Sequence, residues 1–424
     1  MPVASVLGLL KETTVLHSVS QSTPLLSVVI PTRNRAECAV SAVRSLLSIA
    51  SEQLQIVVHD NSDNHRLHDL IQPLLRDARV VYRLVQERLD MICNFERATR
   101  FASGRFVTYL GDDDGINPEI MEALSWAETQ GIDAVTATTP ARYRWPDLQY
   151  HYYKDQLSGA LTLSAFTGQV SYPSPEEEMF KCARSGGLSY GSLPKVYYGA
   201  VRRDRLDCVK QRAGKYFPGP SPDLAGAVAV AEFVQRPVAI DYPLFVPGSS
   251  ARSGAGMGAA KRHIGRLEDQ PFLPADSVAA WSELVPRFWS GPTIWAEDVV
   301  QALTAVGRTD ILREFNAPKV HARCMALHPQ WWRLTLPNLL RACRGTGTGP
   351  VRGLGRFAYY YGETWLARVR ALLLNVCRIT SDSGIIRDLA TIEEGVEALA
   401  GHLQKGGWSL ADHLKTSSES RRAA

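Results

Sequence analysis

Four short apolar runs, each separated from the next by a helix-like stretch, constrain this chain more than any other feature. They are Leu25-Leu26-Ser27-Val28-Val29-Ile30, Leu54-Gln55-Ile56-Val57-Val58-His59, Val80-Val81-Tyr82-Arg83-Leu84-Val85 and Phe106-Val107-Thr108-Tyr109-Leu110. Short, nearly continuous apolar runs suit strands buried on both faces of a parallel sheet. The intervening stretches read as crossover helices: Ala36 to about Ala50, one ending at Leu74-Leu75, and about Asp90 to Ala102. Asn34 or Thr32 is expected to cap the first helix, and Gly104 to close the last as its C′ residue. The expected fold class is α/β with a mostly parallel central sheet.

Two of these strands end in acid. The second runs into Asp60-Asn61-Ser62-Asp63, and the fourth passes through Gly111 into Asp112-Asp113-Asp114. Open α/β sheets bind ligands at the carboxyl ends of their strands. Carboxylates this close repel, so they need a cation or strong donors to stay ionised. Each cluster also has a purely conformational reading, Asp60-Asn61-Ser62 as an Asx turn and Asp114-Gly115 as a tight turn. Two acidic ends on one sheet edge favour a site.

Three segments carry a family resemblance: Ser27-Val28-Val29-Ile30-Pro31-Thr32-Arg33-Asn34-Arg35, Val57-Val58-His59-Asp60-Asn61-Ser62, and Tyr109-Leu110-Gly111-Asp112-Asp113-Asp114 with Pro118 just behind. In this order they resemble the motifs of the family 2 glycosyltransferases of the GT-A fold, over about residues 24 to 140 and extending to about 260. The resemblance implies a nucleotide-sugar donor. Pro31, Thr32, Arg33 and the Asp60 carboxylate would hold its base and ribose, and Asp112 would lie nearer the ribose. It implies further that Asp113 and Asp114 hold Mn²⁺ or Mg²⁺ on the diphosphate. Such an ion takes hard oxygen ligands and neutralises the departing group. Asn94, before the fourth strand, is either a donor contact or a solvated helix-face amide. The chain departs from the common family pattern at Gly111, where many members have Asp.

Family 2 members invert, which requires a carboxylate to deprotonate the acceptor hydroxyl. Asp223 is the candidate, following Phe217-Pro218-Gly219-Pro220-Ser221-Pro222 and opening a helix from Leu224 to Phe233. Ser221 as N-cap, Pro222 at the first position and an acid in the first turn also describe a plain helix start. The catalytic reading is preferred because the family places its base at a comparable helix start. Glu232 is the reserve candidate.

The stretch from about 141 to 215 is rich in aromatics, including Tyr143-Arg144-Trp145, Tyr150-His151-Tyr152-Tyr153 and Tyr197-Tyr198. Most are read as core, with sugar stacking as the alternative. Glu176-Glu177-Glu178 reads as a solvated helix start. The loop Pro247 to Gly256, with Arg252, either closes over a diphosphate through backbone N–H groups or is a linker. His263 is a further candidate beside it. Beyond about 280 the chain reads as helices, including amphipathic stretches from Trp365 to Ile379 and Ile385 to Leu403, with a break at Gly345 to Pro350. Packing against the catalytic domain is the preferred role of this region, over contact with acceptor, partner or a membrane surface.

The expected division is an N-terminal extension (1–23), a catalytic domain (24–270, donor side 24–140, acceptor side 141–270) and a helical C-terminal region (271–424). With 47 basic against 43 acidic residues, nothing calls for nucleic acid. No run reaches the ~20 apolar residues of a membrane span. No basic residue precedes the apolar patch near the N-terminus, so no secretory signal is expected. Seven scattered Cys read as free thiols. The expectation is an inverting, metal-dependent glycosyltransferase, cytoplasmic and in peripheral contact with the inner face of the membrane. It would use a UDP-sugar and a saccharide or lipid-linked saccharide acceptor, in bacterial surface polysaccharide synthesis. The alternatives are a non-catalytic nucleotide-sugar-binding partner subunit and a sugar nucleotidyltransferase, although Pro31 to Arg35 is not the Gly-rich loop of the latter. No strand leads into G-x-G-x-x-G, which argues against a dehydrogenase.

Overall fold

The structure, a computed structural model, describes residues 23–139, 141–150, 155, 157–274, 276–376 and 382–423. The N-terminal extension, apart from Thr23, and His151 to Tyr153 lie outside these residues. The four apolar runs form β1 (Leu26–Thr32), β2 (Leu54–Asp60), β3 (Val80–Leu84) and β4 (Phe106–Tyr109), parallel in the order β3-β2-β1-β4. The sheet then continues through Gly199–Arg202, antiparallel to its neighbours, then Ala134–Ala137, Pro237–Ile240 and Val170–Ser171.

Side chains alternate across each strand, and both faces are apolar. Val29, Val57, Val107 and Tyr109 point into one core, shared with helices Met91–Thr99, Pro222–Ala231, Gly291–Val306 and Ala317–Leu327. Val28, Ile30, Ile56, Val58 and Phe106 point into the other, shared with Ala36–Leu47, Ile120–Thr129 and Ile392–Lys405. The C-terminal helices therefore contribute to both cores. Ile392 and Val396 pack directly on Gly115, next in chain to the aspartates.

Several local expectations are corrected. Helix Ala36–Leu47 starts at Arg35 with no side-chain cap, because Asn34 turns its amide toward Asp63 and Thr32 its hydroxyl toward Asp112. Gly104 is not a helix terminator, since helix Met91–Thr99 ends at Arg100. A Cβ on Gly104 would lie 2.5 Å from the Ser27 nitrogen, so this glycine is needed for close approach to β1. Ile385 and Ile386 are not helical. They belong to strand Asp382–Ile386, which pairs antiparallel with Ala160–Ser164. The break near Gly345 is present, between helices Trp332–Gly345 and Pro350–Val376.

Helix Gly291–Val306 begins with a capping box between Ser290 and Thr293 and carries two adjacent buried acids, Glu297 and Asp298. Glu297 Oε1 accepts from Ser282 N (2.9 Å) and Gln301 Nε2 (2.7 Å), while Oε2 has no partner. Burial pushes its carboxyl up to about 7. The folded chain therefore holds a proton that the unfolded chain has released between the ordinary value of 4.5 and about 7. Stability contributed by this group is full below that window and falls as pH rises through it, by about 3 kcal/mol. Glu297→Gln removes the titration. Denaturant melts at pH 5 and pH 8 should show a smaller loss in the variant, and equal losses would exclude Glu297 as the cause.

Candidate active site

Strand register assembles the site. β1 pairs with β2 so that Thr32 lies opposite Asp60, and with β4 so that Val29 lies opposite Tyr109. Three residues further along the second pair, Thr32 faces Asp112, and its hydroxyl donates to Asp112 Oδ2 at 2.6 Å. The two acidic strand ends thus stand on either side of Thr32.

All three aspartates are buried, at 2 to 4% exposure. Arg35 bridges two of them, with Nη1 2.8 Å from Asp112 Oδ1 and Nη2 2.6 Å from Asp113 Oδ1. Ser250 donates its N–H and its hydroxyl to Asp113 Oδ2, both at 2.9 Å. Asp114 accepts from Gly248 N (2.6 Å), Gly111 N (2.9 Å) and the Tyr198 hydroxyl (3.3 Å). Burial raises the Asp112 and Asp114 carboxyls, and the Asp113 charge adds to this; Arg35 opposes it at Asp112 and the two backbone N–H groups oppose it at Asp114. Burial also works against the Arg35 charge, but Asp112 and Asp113 outweigh it and keep the guanidinium protonated.

The departure at Gly111 has a steric reason. A Cβ there would meet Asp114 Oδ2 at 2.6 Å and the Tyr197 hydroxyl at 2.9 Å. Asp114 folds back over the space a side chain at 111 would occupy. The loop after Pro247 is not a linker. Gly248–Ser249 pairs with Ala141–Arg144, and Ser253 caps helix Gly254–Ala259. A Cβ on Gly248 would fall 1.7 Å from the Asp113 carbonyl oxygen, so the loop lies flush on the aspartate backbone. Arg252 is exposed and donates to Asn34 O at 3.3 Å.

At the neighbouring strand end, Asp60 makes the expected Asx turn with Ser62 N (2.9 Å) and also accepts from the Tyr82 hydroxyl (2.8 Å). Pro31 is buried in β1. Arg33 pairs with Asp63 at 2.7 Å, tying the two strand-end loops together. Asn94 is not a solvated helix-face amide. It is buried, with Oδ1 2.6 Å from His59 Nδ1 and Nδ2 3.4 Å from the Thr32 carbonyl. A cleft of about 880 Å³ opens beside these residues, lined by Arg35, Arg66, Trp145, Ser250 and Arg252 among others.

Asp223 opens helix Pro222–Ala231, with Ser221 in the N-cap position and Pro222 first. The Ser221 hydroxyl does not cap the helix. It lies within hydrogen-bonding reach of both Asp223 Oδ1 and Asp298 Oδ2, while Ser221 N donates to Asp298 Oδ1 at 2.8 Å. One hydroxyl proton cannot serve two carboxylates. Burial and the Asp223 charge push the Asp298 carboxyl well up, so Asp298 keeps a proton to donate to Ser221, and Ser221 donates to Asp223. Tyr190 donates to the other Asp223 oxygen at 2.7 Å. Glu232 lies elsewhere, ion-paired to Arg308 at 2.9 Å, which removes it as a reserve base. His263 packs on Trp289. Glu176 pairs with Arg308, and Glu178 is buried and accepts from Ser192 N at 2.7 Å, so only part of that acidic run is solvated.

Arg35, Tyr82, Tyr190, Tyr198, Ser250 and Asp298 were not singled out in sequence. Arg35 sits inside a recognised motif, and its cationic charge three residues after Thr32 was the available signal. The others come together only through long-range contacts.

Residues 27–180 match the model of glycosyl transferase family 2. The chain is 31% identical over 110 residues to the GalNAc(5)-diNAcBac-PP-undecaprenol beta-1,3-glucosyltransferase of Campylobacter jejuni subsp. jejuni serotype O:2. That match covers 26% of this chain and 36% of the relative, so the chain spans about a third of its length. Among solved structures, S. aureus TarS 1–349 in complex with UDP-GlcNAc is similar in fold, with a TM-score of 0.50 and 13% identity over 82% of this chain and 92% of that one. Over residues 27–180 the chain is similar to the family 2 glycosyltransferases, and its fold, a GT-A-like domain followed by a helical C-terminal region, is similar to that of TarS 1–349.

The donor chemistry of Asp112 and Asp113 fits a hard divalent cation, since both offer carboxylate oxygens to one shared positive charge. Arg35 holds that charge here, and among the described residues no open group of three ligands is arranged for a metal. Arg35→Gln leaves the pair uncompensated and should cost about 3–5 kcal/mol. Mn²⁺ should then raise the melting temperature of the variant more than that of the parent, and an unresponsive variant would show that these carboxylates do not take a cation.

Proposed function

We propose that this chain moves a glycosyl group from a nucleotide-sugar, foremost a UDP-sugar, to a hydroxyl of a saccharide or lipid-linked saccharide, with inversion and with a divalent ion. The observation that carries the reading is the buried carboxylate trio beside the Asp60 strand end, within a family 2 domain. Asp60 retains lone pairs beyond those used by Ser62 and Tyr82 and suits the ring N–H of uracil. In the adjoining cleft, where Arg35 and Arg66 are ion-paired to acids, the exposed Arg252 is the cation that would meet a diphosphate. A bound Mn²⁺ or Mg²⁺, held by Asp113 with Asp112 or Asp114, would neutralise charge on the leaving diphosphate.

Asp223 acts as the base. Its two donors, Tyr190 and Ser221, fix its orientation and leave lone pairs for the acceptor hydroxyl. As the acceptor oxygen bonds the anomeric carbon, Asp223 takes its proton. The bond from that carbon to the diphosphate oxygen breaks, and its electron pair leaves with the nucleoside diphosphate. The relative's undecaprenol-linked substrate supports a lipid-linked acceptor, in surface polysaccharide synthesis at the cytoplasmic face of the membrane.

Calorimetry with UDP, GDP and dTDP, with and without Mn²⁺, tests the donor site. One nucleotide should bind tightly only with metal, and Asp113→Ala with Asp114→Ala should abolish it. Asp223→Asn should retain that binding and lose about 10²–10⁴-fold in transfer. Transfer unaffected by Asp223→Asn would remove the base assignment. Nucleotide binding with no transfer to any acceptor would favour the non-catalytic partner subunit.

A further inference from the structure

The described residues expose fourteen large apolar side chains, and eleven of them lie between Trp332 and Leu373. Helix Pro350–Val376 carries seven of these: Val351, Leu354, Tyr359, Trp365, Leu366, Val369 and Leu373. At 100° per residue they form one stripe, continued by Gly355, Ala358 and Gly362. The helix packs inward through a different face. Gly353 and Thr364 are buried, the Tyr360 hydroxyl accepts from Asn316 Nδ2 at 3.0 Å, and Arg368 donates to Ala326 O at 2.6 Å. The stripe thus faces away from the protein.

Charge identifies its occupant. Residues 332–376 hold seven Arg against one Glu, an excess of six, while the whole chain carries only +4. All seven arginines are exposed. Arg352, Arg356 and Arg370 flank the stripe on one side and Arg368 on the other. A second copy laid on the stripe would bring like charges together. Trp332 and Trp365 belong to the residue type that settles at headgroup level. No described helix is long and apolar enough to cross a membrane, so the helix would lie along a surface.

We propose that the outer face of helix Pro350–Val376, with the exposed residues of Trp332–Gly345, docks this protein on an anionic phospholipid surface. The proposal rests on the lipid-linked acceptor reading and names the surface that would present it. The helix packs on Ala317–Leu327, which packs on Gly291–Val306, the helix that carries Asp298 beside Ser221 and Asp223. The docking face therefore connects through two packed helices to the helix start that carries the acceptor base.

The test is flotation of the full chain with vesicles of phosphatidylcholine alone, or with about one-third phosphatidylglycerol. The protein should float with the anionic vesicles and fall away as salt rises. Leu366→Glu with Val369→Glu should weaken binding at least tenfold. Arg352→Gln, Arg356→Gln and Arg370→Gln should each weaken it by about fivefold. These positions are exposed, and unchanged melting curves will confirm folding. Absence of flotation, or flotation that neither set reduces, overturns the proposal. So does a dimer that Leu366→Glu dissolves in a protein that binds no vesicle, since a second copy would then cover the stripe. UDP calorimetry on the same preparation separates the two readings. Nucleotide binding without flotation defeats only the membrane proposal, and flotation without nucleotide binding defeats only the transferase.

Discussion

Burying three consecutive carboxylates at the end of β4 is the constraint on which the rest of the site depends. Each oxygen removed from water needs a donor or a charge, because an unpaired buried carboxylate costs several kcal/mol. The chain meets this from two distant segments and from the aspartate turn itself. Arg35, just past β1, spans Asp112 and Asp113, Ser250 covers Asp113, and Gly248 and Gly111 cover Asp114. A guanidinium suits the first task because its planar fork reaches two carboxylates at once. The glycines follow from the same demand: only a residue without a Cβ lets segment 248–250 lie on the Asp113 backbone, or leaves room at 111 for Asp114 to fold back.

This explains which parts of the site were legible in sequence. β1 to β4, the acidic strand ends and the start of the Asp223 helix are local patterns of hydrophobic period and turn chemistry, and they stand where the sequence places them. What could not be read is pairing. Tyr82 meets Asp60 because β3 lies beside β2, and Tyr198 meets Asp114 because Gly199–Arg202 runs antiparallel beside β4. Gly104 was expected to serve its own helix but serves the neighbouring strand, and Ile385 reads as helical until Ala160–Ser164 is there to pair with it. Asn94 had the same ambiguity, settled only when His59 and the Thr32 carbonyl came within reach.

The two acidic centres solve similar problems differently. At the aspartate trio a cation supplies the compensation, whereas at Asp223 and Asp298 a retained proton does so. Ser221 can bridge both carboxylates only if one of them is neutral, and the fully buried Asp298 is the one that burial favours in that form. The outcome is a carboxylate at Asp223 oriented by two neutral hydroxyl donors, Tyr190 and Ser221.

Average composition conceals how the arginines are distributed. The near balance of 47 basic and 43 acidic residues argued against any polyanionic partner, and for most of the chain that holds, since Arg33, Arg35, Arg203 and Arg308 are matched to acids. Between 332 and 376 the matching lapses, and it lapses on the helices that also expose most of the large apolar side chains. Leaving apolar area in water costs about 25 cal/mol per Å², and concentrating positive charge adds self-repulsion. A surface that is both apolar and negatively charged at its boundary relieves both costs together, and a lipid bilayer with anionic headgroups has those two properties at the same depth.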